Sequence, residues 1–92
     1  MQIKLTKEFE KNFEAIYKYI AKDKLSASKK FKNELLKQIK NIPKFPYKHR
    51  KSIYFDNNDI RDMIFKRYTI VYKIEIEDNI IVIVDIFNQN KW

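Results

Sequence analysis

The residues best suited to chemistry in this chain form a basic loop, Lys44–Lys51, in which Phe45 and Tyr47 lie between cations. Such cations bind phosphate groups, and an aromatic ring beside them can stack on an unpaired base. The competing interpretation is a solvated loop whose two aromatic rings seal the edge of the core, and we expect that role for both rings. For the cations both interpretations stay open; these cations are Lys48, Arg50 and Lys51.

Two further groups of polar side chains lie later in the chain. Lys66 and Arg67 stand between two predicted strands, so we expect them at a hairpin corner that points outward. The last five residues combine polar and aromatic groups; they could bind RNA or a protein, or the terminal Trp could fold back onto the core. The candidate binding residues there are Asn88, Gln89, Lys91 and Trp92.

Arg61 lies in the middle of a predicted strand. It could reach a phosphate or an acidic target. It could equally pair with a carboxylate such as Asp59 or Asp85 and hold the sheet together. We favour the structural role, because an arginine in the middle of a strand has a restricted reach.

The charge of the chain is large and uneven. The net charge is +8 over 92 residues; residues 1–52 contain 15 Lys/Arg and 5 Asp/Glu, whereas residues 53–92 contain 5 and 7. A basic half indicates a polyanionic partner, such as nucleic acid, an acidic protein or a membrane surface. A lysine-rich solvated surface explains the same composition.

Composition excludes several classes of site. The chain has no cysteine, which excludes disulfides, thiol nucleophiles and thiolate metal sites. It has no glycine, which excludes phosphate loops and dinucleotide fingerprints. The single histidine, His49, is too few for a multi-histidine metal site, and we expect it to be simply exposed in its loop. No cofactor and no metal is therefore expected, and no apolar run is long enough to span a membrane.

Apolar residues recur every three or four positions in two segments, which predicts two amphipathic helices. Thr6 and Ser26 are suitable N-caps for them, and Pro43 ends the second helix because it lacks an N–H. A short joint between the helices predicts an antiparallel helix hairpin. The core-facing positions are Phe9, Phe13, Ile16 and Ile20 in the first helix, and Ala27, Phe31, Leu35, Ile39 and Ile42 in the second.

Alternating polar and apolar residues predict strands on both sides of the helix pair. These strands are Gln2–Leu5, Ser52–Phe55, Ile60–Phe65, Tyr68–Ile76 and Ile80–Val84. The last is apolar on both faces and should be central. We expect one α+β domain over residues 1–92: an N-terminal strand and an antiparallel two-helix hairpin packed on a mainly antiparallel sheet of four to five strands.

The order of these elements resembles the RelE/ParE superfamily of bacterial toxins from type II toxin–antitoxin modules. The segments that carry the resemblance are Arg50–Ser52, Ile60–Ile64, Tyr68–Tyr72 and Ile83–Asn90. In the family, a strand of the type Val-Arg-Glu-Leu is followed by a corner, a strand of the type Tyr-Arg-Ile-Leu-Tyr, and a last strand with a short polar tail. The resemblance covers essentially the whole chain, and it implies a curved sheet and a cytoplasmic growth inhibitor.

The resemblance implies one of two activities. RelE-like members cut mRNA on the ribosome, and ParE-like members poison DNA gyrase. Thr69 stands where many RNase members have Arg, and Asn88, which cannot titrate, stands where several have His or Tyr. Both departures favour the ParE-like activity. If the chain were an RNase, its charge-stabilising residues would be Lys48, Arg50, Arg61, Lys66 and Arg67.

The resemblance also implies partners. Antitoxins of this family commonly present an acidic amphipathic segment that wraps the toxin, which suits a basic surface and an exposed sheet edge. We therefore expect a cognate antitoxin, a toxin–antitoxin hetero-oligomer, and either DNA gyrase or the ribosome with its mRNA as the target.

Overall fold

A computed structural model describes residues 1–88 of the chain. The elements in chain order are β1 (Gln2–Leu5), α1 (Lys7–Asp23), α2 (Leu25–Asn41), a 3₁₀ turn (Ile42–Lys44), β2 (Arg50–Lys51), β3 (Ile60–Phe65), β4 (Tyr68–Glu75) and β5 (Ile80–Asn88). The strands form one sheet in the order β1-β5-β4-β3-β2, in which only the β1–β5 pair is parallel. The predicted α+β architecture is confirmed.

The start of α1 is joined to β5, an interior strand of the sheet. The Thr6 hydroxyl oxygen accepts from the Phe9 N–H at 3.0 Å, which caps the helix as predicted. The same hydroxyl donates to the carbonyl of Val84 at 2.7 Å. One side chain therefore sets both the first residue of the helix and its position over β5.

The joint between the helices is shorter than predicted. Lys24 alone separates α1 from α2, and its extended backbone makes the turn. The second helix therefore begins at Leu25, and the prediction of Ser26 as its N-cap was wrong. Its last residue is Asn41, and Pro43 lies in the following 3₁₀ turn, as its missing N–H requires.

The short strand near residue 50 differs from the prediction of Ser52–Phe55. The strand is Arg50–Lys51, which pairs with Asp62 and Arg61 of β3. The residues after it leave the sheet because side chains accept their amide groups: the Ile53 N–H donates to the Asp62 carboxylate at 3.1 Å, and the Tyr54 N–H donates to the Ser52 hydroxyl at 3.2 Å.

The remaining strands agree with the prediction except at their ends. Strand β4 ends at Glu75, and Ile76 lies in the turn, 65% exposed. Strand β5 lies between β1 and β4, so its predicted central place is confirmed, and it continues to Asn88 instead of ending at Val84.

The helix pair covers one face of the sheet. The core between the helices and the sheet includes Leu35 from α2, Ile70 and Tyr72 from β4, and Ile81 and Ile83 from β5, all with no exposed surface. No helix within residues 1–88 is long and apolar enough to cross a lipid bilayer.

The segment after β2 covers the other face of the sheet. Phe87 is opposite Thr69 in the β4–β5 register and follows the core residue Ile86, so it points away from the helices. The Tyr54 ring contacts the Phe87 ring edge-on at 5.0 Å. Thr69 and Val71, which lie on this face, are consequently buried.

Candidate target-binding surfaces

Lys66 and Arg67 form the tip of the β3–β4 hairpin, as predicted. The register pairs Phe65 with Tyr68, so only these two residues make the turn. Lys66 has φ 56°, a left-handed conformation that costs a non-glycine residue about 1 kcal/mol. Its ammonium lies 3.1 Å from the Glu34 carboxylate of α2. The tip is thereby tied to the helix pair, while Arg67 is exposed and has no ion pair within residues 1–88.

A groove of about 310 Å³ separates this tip from the helices. Its floor is apolar and its rim is cationic: it is lined by Ile20, Ala27, Phe31 and Tyr68 together with Lys66 and Arg67. Burial and the neighbouring Tyr19 raise the pKa of the Tyr68 phenol, and Arg67 partly opposes them. The groove thus presents a neutral phenol and apolar carbons beneath two positive charges, which suits an acidic amphipathic segment.

Asn88 lies at the same end of the sheet as the hairpin tip. It ends β5 and is opposite Tyr68 in the β4–β5 register. The structure therefore brings together three of the predicted residues, Lys66, Arg67 and Asn88. The other predicted residues of the final segment, Gln89, Lys91 and Trp92, lie outside the described residues.

The basic loop Lys44–Lys51 is held in place by hydrogen bonds to the sheet. The buried Tyr72 hydroxyl donates to the Pro46 carbonyl at 2.5 Å. The Arg61 guanidinium donates to the His49 carbonyl at 3.1 Å and lies over the Tyr47 ring, 4.9 Å from its centre. The loop is therefore preorganised although it has little regular structure.

Arg61 also donates to the backbone and side-chain oxygens of Asn58, at 3.0 and 2.9 Å. The structural role favoured from the sequence is supported, with different partners. Asp59 accepts from the Tyr47 hydroxyl at 2.8 Å, and Asp85 accepts from Asn12 at 2.7 Å. Arg61 thus joins the basic loop to the turn before β3, and its donors are engaged by loop oxygens at the surface.

The aromatic side chains of the loop do not seal the core, contrary to the prediction. Phe45 is 71% exposed and Tyr47 is 39% exposed. They line, with Pro46, Lys44 and Lys48, a shallow depression of about 610 Å³. The reason is that the 3₁₀ turn and the Tyr72–Pro46 bond fix the loop backbone against the core, so the rings project from it.

His49 is half-buried, whereas the sequence predicted an exposed side chain. Its ring meets the Tyr72 ring edge-on at 6.0 Å. Burial and, secondarily, the charge of Lys48 lower the pKa of the imidazole below 6.5. The side chain is therefore neutral at pH 7 and packs on the core.

Arg50 and Lys51 form the edge strand β2, where both are engaged in ion pairs. The Arg50 guanidinium lies 3.4 Å from the buried Asp62 carboxylate, and the Lys51 ammonium lies 3.6 Å from the Asp56 carboxylate. Each cation remains about half-exposed. They can still contact an anionic partner, but part of their charge is balanced within the fold.

The two surfaces lie apart from each other. His49 packs on Tyr72, and Lys66 and Arg67 lie beside Tyr68, four residues earlier in β4. Four residues of strand span about 13 Å. The histidine is therefore too far from the tip cations to act with them on one phosphate.

Thr69, which stands at the arginine position of RNase relatives, is fully buried under the Tyr54–Phe87 side of the sheet. This position cannot reach a target in this fold.

Sequence reasoning missed the residues that form the floor of the groove. Ile20 and Phe31 were assigned to the core stripes of the helices, and Ala27 with them, because helical spacing cannot show where a buried stripe ends. Tyr68 was assigned only to a strand face. Its place directly after Lys66 and Arg67 was the one signal in the sequence that linked it to the hairpin tip.

Comparison with known proteins identifies the family. A family model described as the ParE toxin of the type II toxin–antitoxin system parDE matches residues 3–91. A solved structure of the chromosomal ParDE toxin–antitoxin system from P. aeruginosa superposes with a TM-score of 0.78 at 17% identity, over 96% of this chain and 95% of that one, and so shares its fold. No curated protein gives a significant match. The chain belongs to the ParE family of toxins, the toxic components of type II toxin–antitoxin systems.

Proposed function

We propose that this toxin arrests growth in the cytoplasm by binding and poisoning DNA gyrase, as ParE-like toxins do, and that a cognate antitoxin neutralises it. The observation that carries the proposal is the hairpin tip, which offers two cations beside an apolar groove lined by side chains of both helices. Binding a protein target needs no proton transfer, whereas RNA cleavage does.

The carboxylate, phenol and imidazole nearest the tip are poorly placed to act as a general base. Glu34, the carboxylate beside Lys66, is held in an ion pair at 3.1 Å. The raised pKa of Tyr68 keeps its phenol protonated at neutral pH. Asn88 cannot titrate, and His49 lies about 13 Å along the strand. The hairpin tip thus gives no support to the alternative activity, ribosome-dependent mRNA cleavage.

The groove at the tip supports the proposal of an antitoxin partner. Its rim carries Lys66 and Arg67, and its floor is formed by side chains of both helices and β4. An acidic amphipathic helix could place its apolar residues on the floor and its carboxylates beside the rim. Such a complex would be the expected toxin–antitoxin hetero-oligomer.

The proposal is tested by inducing the toxin alone and following thymidine and methionine incorporation after the induction. We expect thymidine incorporation to stop first, and purified toxin to inhibit supercoiling by gyrase while linear DNA accumulates. Topoisomerase IV in the same assay serves as the control for a general effect on DNA. Methionine incorporation that stops first, with gyrase unaffected, would reject gyrase as the target and revive mRNA cleavage.

A further inference from the structure

We propose that the basic loop Lys44–Lys51 binds single-stranded nucleic acid, with an unpaired base stacked on the exposed ring of Phe45. This activity is separate from the proposed inhibition of gyrase, and it involves a surface that lies farther along β4 than the hairpin tip. Each proposal can therefore fail while the other stands.

The first argument is the exposure of Phe45. A phenylalanine that is 71% exposed, on a loop whose backbone is bonded to the sheet, leaves a large apolar surface in water. The loop cannot readily turn the ring inward, because Tyr72 and Arg61 hold the Pro46 and His49 carbonyls on either side of Tyr47. A ring carried on a backbone that is already fixed loses less entropy on binding than one on an unbonded loop, which favours a stacking role.

The second argument is the charge around the ring. Residues 35–55 contain six Lys/Arg and no Asp/Glu. Lys44 and Lys48 line the same depression as Phe45, and neither is in an ion pair within residues 1–88. Of the carboxylates that approach this region, Asp62 pairs with Arg50. The charge of Asp59, which accepts from the Tyr47 hydroxyl, is opposed by the Arg61 guanidinium over the Tyr47 ring. The depression therefore keeps the positive charges of Lys44 and Lys48.

The arrangement of ring and cations matches the chemistry of a nucleotide chain. Each nucleotide within a strand has a flat apolar base between two phosphates. The depression has a flat apolar ring between two lysines, with Arg50 and Lys51 next along the chain. Aromatic stacking is tolerant of base identity and requires a base that is not already stacked in a duplex. The site should therefore prefer single strands and show little sequence preference.

The experiment measures binding of the full chain to labelled oligonucleotides of about 10 nucleotides by fluorescence anisotropy. The probes are oligo-dT, oligo-rU and a duplex of equal length. We expect Phe45→Ala to weaken single-strand binding about 5- to 150-fold, the effect of losing one stacked base. Phe45→Trp should retain single-strand binding. Phe45→Leu should weaken it as Phe45→Ala does, because leucine keeps an apolar side chain but has no π face.

Matched variants separate stacking from general charge. Tyr19→Ala removes an aromatic side chain that is equally exposed, at 72%, on α1, and should leave binding unchanged. The double variant Lys44→Gln with Lys48→Gln should reduce the slope of log K against log salt by about 1.4, as expected for two phosphate contacts. Melting curves confirm that each variant is folded.

Several outcomes would overturn the inference. Binding of the Phe45→Ala protein within two-fold of the parent, or duplex binding as tight as single-strand binding, would leave only non-specific attraction of a basic protein. Loss of gyrase inhibition in Phe45→Ala with unchanged oligonucleotide binding would assign the ring to a protein partner instead. If stacking is confirmed, the tighter of oligo-dT and oligo-rU identifies DNA or RNA as the natural strand.

Discussion

Replacing Tyr72 with Phe tests whether one buried hydroxyl holds the basic loop on the core. The ring of Tyr72 is fully buried between the helices and the sheet, and its hydroxyl donates to the Pro46 carbonyl at 2.5 Å. Phenylalanine keeps the ring and its edge-on contact with His49, so the substitution removes little except the hydrogen bond. The half-buried Pro46 carbonyl then loses its donor. We expect a loss of about 1 to 1.5 kcal/mol at pH 7.

The same substitution should have a different effect at alkaline pH. Burial raises the pKa of the Tyr72 phenol far above 10.0, so the folded protein keeps the proton when an unfolded chain would release it. A raised phenol pKa contributes folding stability that is fully present below pH 10 and is lost as the pH rises toward the pKa of the folded protein. At pH 11 the parent should have lost about 1.4 kcal/mol by this route, and the Phe variant none.

The difference in free energy of unfolding between the parent and the Tyr72→Phe protein, called the gap below, should therefore close near pH 11. Urea unfolding at pH 7 and pH 11 gives both free energies of unfolding, and at pH 7 the melting temperature of the variant should fall by roughly 5 to 10 °C. Other groups that titrate do so in both proteins and cancel in the difference. The exposed Tyr19, replaced by Phe, is the matched control and should leave the free energy of unfolding at pH 7 unchanged. Equal stability at pH 7, or a gap of constant size from pH 7 to pH 11, would refute the reasoning.

Three further predictions concern the groove, the loop histidine and the core. Replacing both Lys66 and Arg67 with Glu should abolish growth arrest, measured by colony formation, without unfolding the protein, measured by circular dichroism. The same change at the exposed Lys29 and Lys37 of α2 is the control and should leave arrest intact. Full arrest in the first variant would show that the tip is only a turn. His49→Gln should leave growth arrest unchanged, and loss of arrest in a folded variant would restore a catalytic role for the histidine. The stability of the parent protein should fall as the pH drops below about 6.5. The reason is that the pKa of His49 is lowered in the folded protein, so the unfolded chain binds the proton more tightly. Leu35→Ala should lower the free energy of unfolding by about 2 to 5 kcal/mol in urea titrations, whereas Leu25→Ala, at a 54% exposed position, should cost far less; similar values would contradict the assignment of the core.

The groove and the loop make different demands on their partners. The groove has an apolar floor under a cationic rim, and one of its two cations is already neutralised by Glu34. The loop has a projecting ring with two lysines that have no ion pair within residues 1–88. An amphipathic protein segment suits the first, and a polyanion with flat bases suits the second. A toxin complexed with its antitoxin at the groove could thus keep the loop accessible, which the oligonucleotide assay can examine directly.

The local elements of this fold could be predicted because their causes are local. The spacing of Phe9 and the stripe that follows it requires a helix, and Thr6 caps that helix through a bond to a residue three positions away. Alternation in β3 and β4 produced the hairpin, and the two residues between them had to form its tip. The family resemblance also arose from the order of these elements, and the family match over residues 3–91 confirmed it.

The features that were wrongly predicted depend on contacts between distant residues. The strand near residue 50 shifted from Ser52–Phe55 to Arg50–Lys51 because the Asp62 carboxylate, nine residues after Ile53, accepts the amide that a strand would have used.

The sequence by itself determined the helices, the hairpin, the excess of positive charge and the position of the tip, since spacing and residue type are sufficient causes for each. Only the tertiary structure decided what those residues present to a partner. It buried Thr69 under the segment after β2, engaged Arg61 with the oxygens of neighbouring loops, packed His49 on Tyr72 and left Phe45 projecting into water. The physical reason is that exposure and hydrogen bonding are set by the residues that pack together in space. The sequence pattern does not show which distant segments of the chain meet in this way.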